Sequence, residues 1–262
     1  SDLRFRRELA VTELLCCYFL NDVEEGRARY EVAALAGEVT PDLRLTLANF
    51  ALSPSERVDV INDVLLHYGL SPVCLLHGDT QSPYDRLTSA VTSRTVPNGP
   101  MVTVLIAAYE SPNTLRTALR SLQEQTWKNL EILVLDDCSP SLETTLAANE
   151  FAARDPRVRV IRMEKNGGAY AARNYGLQEA SGEYVTLHDA DDWSHPMKIE
   201  MQVRFLLNQP DIIGCLSEQA RASSDLTFKR WAGNGNIIIT NTSSFMFHKD
   251  RVKESVGYWD TV

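Results

Sequence analysis

The run Tyr184-Val185-Thr186-Leu187-His188 stops at Asp189-Ala190-Asp191-Asp192-Trp193, and it constrains the fold more than any other stretch of the 262 residues. An unbroken apolar run is the pattern of a central parallel strand, because helices cover both of its faces. In an open α/β sheet ligands bind outside the carboxyl ends of the strands, where these three acids then fall. Neighbouring carboxylates repel unless a cation or water compensates. Hard divalent cations such as Mg²⁺ or Mn²⁺ take carboxylate oxygens and share a phosphate-bearing substrate. The plainer alternative is a solvated acidic turn, with Ser194 as N-cap of the helix opening at His195-Pro196.

The segments upstream favour the sheet. Val102–Ala108 reads as a buried strand, and Leu115, Ala118, Leu119 and Leu122 form a helical stripe after it. Leu130–Leu135 is a second strand ending in Asp136-Asp137, a helix is expected over 142–153, and Val158–Ile161 is a third strand. Residues 166–180 read as a helix entered through Asn166-Gly167-Gly168. Strict β-α alternation predicts an α/β fold with a doubly wound, mainly parallel sheet and right-handed crossovers. The polar groups Ala108-Tyr109-Glu110, Asp136-Asp137 and Asp189–Asp192 then converge on one sheet edge. Glycines at the entry to the Arg173 helix let a ligand approach the backbone, and the helix N-terminus favours anions. Arg173 supplies a bidentate cation there, or serves as the ion-pair partner of a strand-end aspartate.

Before this region the hydrophobic period differs. Residues 1–76 read as short helices: Leu9, Leu14, Leu15, Tyr18 and Phe19 recur at helical spacing, and Thr40-Pro41 opens a helix. Ser53-Pro54-Ser55-Glu56 is a capping box, and Gly37 and Gly69 stop helices. This small all-α bundle or repeat-like region carries no ligand-type cluster, which leaves protein docking as its role. Residues 77–100 are polar, contain Gly and Pro, and read as a linker. The expected division is 1–76, 77–100 and 101–262, the last split into 101–196 and 197–262.

A net charge of −9 excludes a general nucleic-acid binder. Five cysteines without CxxC spacing suit a reducing compartment, and no apolar run reaches membrane-spanning length. The expected location is the cytoplasm, including the inner face of the membrane as part of a larger enzyme.

Residues 101–196 resemble the nucleotide-binding half of the family 2 glycosyltransferases of bacterial polysaccharide synthesis, which have the GT-A fold. The resemblance rests on Val102–Tyr109, Leu133-Val134-Leu135-Asp136-Asp137-Cys138-Ser139, Asn166–Gly176 and His188–Trp193, in order and at matching spacings, with His195–Glu200 fitting as well. It implies transfer of a sugar from a nucleotide-diphosphate sugar, a UDP-sugar being favoured, to a glycan or saccharide hydroxyl with inversion. On the family's pattern Ala107, Ala108, Tyr109, Glu110 and Asp137 hold the base and ribose. Gly168 and Arg173 lie along the nucleoside and diphosphate. Asp189-Ala190-Asp191 is the DxD, with Asp191 the direct ligand of Mn²⁺ or Mg²⁺ and Asp189 beside it. Two residues depart from the pattern: Glu110 stands where the family often has Asn, and Cys138 where it often has Gly.

After residue 200 the match thins. Strands are expected at 212–216 and 237–239, and 241–260 resembles the family's strand and helix after the DxD. The family's catalytic base usually follows the counterpart of Gly257–Asp260, so either Asp260 serves or the base lies beyond Val262 in a longer enzyme. Trp231 and Trp259 are candidates for stacking on sugars or for the core. A non-catalytic nucleotide-sugar-binding module is the main alternative. A nucleotidyltransferase lacks support because Ala107-Ala108-Tyr109-Glu110-Ser111-Pro112 is no Gly-rich basic loop. A dehydrogenase is disfavoured because no GxGxxG follows a strand.

Overall fold

A computed structural model of the chain describes residues 2–90, 95–230 and 236–260. Two compact units share it. One comprises Ser1–Thr92 with Glu218–Thr240, the other Ser93–Ser217 with Asn241–Val262.

The first unit is mainly helical, with α1 (Asp2–Phe19), α2 (Val23–Leu35), α3 (Pro41–Ala48) and α4 (Pro54–His67). Local signals set the helix ends. Thr40 caps α3 by accepting the Leu43 N–H, with Pro41 at the first helical position. Ser53 caps α4 by accepting the Glu56 N–H, but the Glu56 carboxylate reaches back to the Leu52 N–H instead of to Ser53. Gly37 and Gly69 follow α2 and α4 with φ of +69° each. Leu14, Leu43, Leu45, Phe50 and Val64 form the core together with Phe228 and Ile237. Gly26 is required there, because a Cβ at that position would stand 2.2 Å from the Phe50 ring.

The region expected as a linker is structured in part. β1 (Val73–Leu75) pairs antiparallel with β2 (Leu87–Ser89), and a 3₁₀ turn covers Tyr84–Arg86. Polar sequence concealed this hairpin because its order depends on distant partners. The Asn62 side chain bonds both the N–H and the C=O of Val73, and the Tyr84 N–H bonds the Ser224 carbonyl. Residues 218–240, expected in the second domain, belong to the helical unit for the same kind of reason. Asn49 bonds both backbone groups of Phe228, and one Asp42 oxygen accepts the N–H groups of Ile237 and Ile238. No local periodicity encodes such links.

The second unit contains most of a six-stranded sheet. Its strands are β3 (Val102–Ala108), β4 (Leu130–Asp136), β5 (Val158–Arg162), β6 (Tyr184–Leu187), β7 (Gly214–Ala220) and β8 (Ile238–His248), in the order β5-β4-β3-β6-β8-β7. The four strands β5, β4, β3 and β6 are parallel, and β8 runs antiparallel to β6. The connecting helices are α5 (Pro112–Gln123), α6 (Glu143–Ala152), α7 (Gly168–Glu179), α8 (Lys198–Asn208) and α9 (Lys249–Ser255). The expected stripe on α5 is buried, from Leu115 to Leu122. Every residue of β4 is buried, as a strand covered on both faces must be. Ser194 is not the N-cap of α8; Met197 takes that place without a side-chain bond.

Candidate active site

β6 is shorter than its neighbour. It stops at Leu187, opposite Leu105, while β3 continues to Ala108. The chain leaves the sheet at His188, whose N–H bonds the Leu105 carbonyl at 3.0 Å. Asp189–Asp191 therefore turns beside the free flank of β3, and a cavity of about 520 Å³ opens there. Ala107, Tyr109 and Glu110 line it from the end of β3, Ala169 and Arg173 from α7, and Asp189, Ala190 and Asp191 from the acidic loop. Seven residues singled out in the sequence thus meet on one cavity.

The charges are already arranged within it. Arg173 Nη2 donates to Asp189 Oδ1 at 2.6 Å, and Ser243 Oγ donates to Asp189 Oδ2 at 2.6 Å. The Arg173 side chain is only 11% exposed and lies 5.7 Å from the Tyr170 ring centroid, and its Nε has no hydrogen-bond partner. A buried guanidinium with an unused donor beside a cavity is costly unless an acceptor can reach it. Asp191 is exposed.

Beneath the loop, His188 is buried, with Nδ1 2.8 Å from the Asp189 carbonyl. Burial first, then the Lys198 charge, push its pKa down to about 3, so the ring is neutral at physiological pH. Burial also pushes the Lys198 ammonium down to about 8, against the pull of Asp192 and Asp189. At neutral pH Lys198 keeps its charge and offsets part of the acidic loop's repulsion.

The neighbouring acids are buried. Asp137 is 3% exposed, and its two oxygens accept the N–H groups of Gly167 at 2.9 Å and Gly168 at 2.7 Å. It caps the entry to α7 and does not line the cavity. Gly168 has a φ of +81°, which the tight entry requires. Asp136 is buried and accepts from Ser139, Thr145 and Arg162. Burial raises its carboxyl, but these bonds and the Arg162 charge outweigh burial and hold it below the usual carboxylate range. Ala108 is buried in β3. Asp260 is exposed and follows Trp259, which packs on Phe247 with centroids 6.0 Å apart. Trp231 lies outside the described residues.

Sequence reasoning passed over Ser111, Pro112, Asn113 and Thr114, which line the cavity at the start of α5. Their place just after a central strand was the available signal. Ser243 offered none, since only the pairing of β8 with β6 brings it to Asp189.

A family model described as Glycosyl transferase family 2 matches residues 103–255. The chain belongs to that family. EpsH of Bacillus subtilis (strain 168) is 37% identical over 116 residues, which cover 44% of this chain and 33% of EpsH. Glycosyltransferase GlyA of Streptococcus pneumoniae serotype 4 is 44% identical over 92 residues, 35% of this chain and 13% of GlyA. The chain thus matches a minor part of each relative's length. A solved structure of mannosyltransferase PcManGT from Pyrobaculum calidifontis, in complex with GDP-Man and Mn²⁺, aligns with a TM-score of 0.48. It is 21% identical and covers 64% of this chain and 50% of that one.

The two departures of this family 2 glycosyltransferase from the family's usual residues share a backbone feature. Glu110 has a φ of +47° and Cys138 one of +57°. That left-handed region favours Asn and Gly, the residues the family often places there. Here the strained turns are held by other bonds: the Glu110 N–H donates to Ser139 Oγ at 3.0 Å, and the Cys138 N–H to the Asp136 carbonyl at 2.7 Å.

Proposed function

We propose that the strand-end cavity binds a nucleotide-diphosphate sugar, and that the chain transfers the sugar to a glycan hydroxyl with inversion in bacterial polysaccharide synthesis. The supporting observation is the meeting of Tyr109 from the end of β3, Arg173 from α7 and Asp191 from the loop after β6 around one 520 Å³ cavity. Ala107 and Tyr109 offer an apolar wall and a ring for the nucleoside. Arg173, with its unused Nε, faces the diphosphate. Asp137 supports nucleoside binding indirectly, through the glycine pair it holds.

The exposed Asp191 carboxylate, with Asp189 beside it, fits a hard divalent cation such as Mn²⁺ or Mg²⁺. Among the described residues no group of three His, Cys, Asp or Glu side chains is placed to hold a metal. A small carboxylate share is the pattern of ions that also take substrate phosphate and water. When bound, the ion supplies charge neutralisation to the leaving diphosphate. Asp260 is the candidate in this chain for accepting the acceptor proton, and the helical unit is the candidate docking element.

Calorimetry with UDP and GDP tests this reading, in Mn²⁺ and in EDTA, on the parent chain and on Asp191→Asn. The expected result is binding by one nucleotide in Mn²⁺, weakened about tenfold or more, about 1.4 kcal/mol, by EDTA or by the substitution. Equal affinity under all conditions would remove the metal role. Absence of binding would remove the donor assignment.

A further inference from the structure

Helix α7 grips a second segment next to Arg173. Asn174 Nδ2 donates to the Trp259 carbonyl at 2.7 Å, and the Trp259 N–H donates to Asn174 Oδ1 at 2.9 Å. One side chain thus takes both backbone groups of one residue, as a neighbouring β-strand would. The Trp259 ring is seated on Phe247 and the core around Leu105, Val185 and Leu187. Adjacent residues of one helix therefore hold two different parts of the unit: Arg173 the acidic loop through Asp189, and Asn174 the chain after Gly257. At its entry the helix is tethered to Asp137, which takes the N–H groups of Gly167 and Gly168 on its carboxylate and Asn166 Nδ2 on its carbonyl.

We infer that Asn174 is a positioning residue that couples the Trp259–Asp260 segment to the occupancy of the cavity. The inference rests on the cavity being a nucleotide-diphosphate site. A diphosphate entering it brings more negative charge than Asp189 presents, and Asp189 is also engaged by Ser243. It competes for the Arg173 guanidinium, for which it is a better bidentate acceptor. Release of Arg173 from Asp189 loosens one attachment of α7, and the Asn174 clamp passes the adjustment to Trp259. The same two-bond clamp joins Asn49 to Phe228 and Asn62 to Val73. Neither of those asparagines adjoins a residue of this cavity, so they serve as structural controls.

The experiment is fluorine NMR on the full chain labelled with fluorotryptophan, with the Trp259 signal assigned by its absence in Trp259→Phe. In the parent, UDP or GDP with Mn²⁺ should move the Trp259 signal with the midpoint found by calorimetry. In Asn174→Ala the signal should start displaced and stay still during the titration, while nucleotide affinity changes by less than about threefold. Asn174→Asp keeps the acceptor but loses the donor, and should respond between the two. Without nucleotide, Arg173→Ala should itself displace the Trp259 signal, because the link to Asp189 is gone. A Trp259 signal that ignores nucleotide binding in the parent, or moves in Asn174→Ala as in the parent, overturns the coupling. If neither nucleotide binds, the donor reading fails on calorimetry, and an unmoved signal in Arg173→Ala then overturns the coupling by itself.

Discussion

In the helical unit several polar side chains that are buried or partly buried reach for backbone. Asn49 bonds both groups of Phe228, Asn62 both groups of Val73, and Arg230 the Glu8 carbonyl. In the α/β unit the side chains at the end of β6 reach for each other: Arg173 for Asp189 and Ser243 for Asp189, around an open cavity. Backbone partners satisfy a polar group permanently, and the result is architecture. Side-chain partners beside a cavity can be exchanged for a ligand. Burial alone does not separate structural from functional polar residues. The identity of the partner, taken together with an adjoining cavity, does.

Asp136 tests the comparison hardest, because it is a strand-end acid whose bonds make it structural. Asp136→Ala removes the acceptor of the Ser139, Thr145 and Arg162 bonds and should cost about 2–3 kcal/mol in denaturant unfolding. A loss confined to nucleotide affinity would place Asp136 among the ligand residues instead. Asn49→Ala strands the buried N–H and C=O of Phe228, and should cost about 1–3 kcal/mol without changing nucleotide affinity. Thermal melts and calorimetry on the same sample check both halves of that statement.

A smaller effect is expected in acid. Arg157 holds the Asp155 carboxyl down to about 2 from its ordinary 3.8. A carboxyl depressed in the folded state stabilises above its unfolded pKa, and the contribution fades as pH falls from about 4 towards 2. Asp155→Asn should therefore flatten the loss of melting temperature across that window, and an unchanged acid limb would contradict the pairing. The smallest effect concerns the left-handed turn. Cys138→Gly should stabilise by about 1 kcal/mol, the relief of a non-glycine residue at positive φ less the entropy glycine adds to the unfolded chain. A destabilised variant would mean that the Cys138 Sγ contact with the Glu164 carbonyl outweighs the strain.

The same division explains what could be read from sequence. The strands β3, β4, β5 and β6 and the stripe of α5 lie in contiguous residues, so periodicity exposed them. The cavity residues were legible because parallel strands deliver their following loops to one edge. That an acid follows β4 at Asp137 was legible, but not that the N–H groups of Gly167 and Gly168 bond to it. The Val73–Ser89 hairpin and the attachment of residues 218–240 to the helices stayed hidden, since they depend on single long-range bonds from Asn62, Asn49 and Asp42. Glu110 and Cys138 stood out in sequence as departures from the family's pattern, while their positive φ values were not legible there.

The central claim is that the strand-end cavity is where nucleotide diphosphate and metal meet this chain. Crystals grown with UDP or GDP and Mn²⁺ test it most directly, through the anomalous signal of manganese. The account predicts a manganese peak bound to the Asp191 carboxylate, with the diphosphate between it and Arg173. Nucleotide bound elsewhere, or bound in the cavity with manganese away from Asp191, would contradict it.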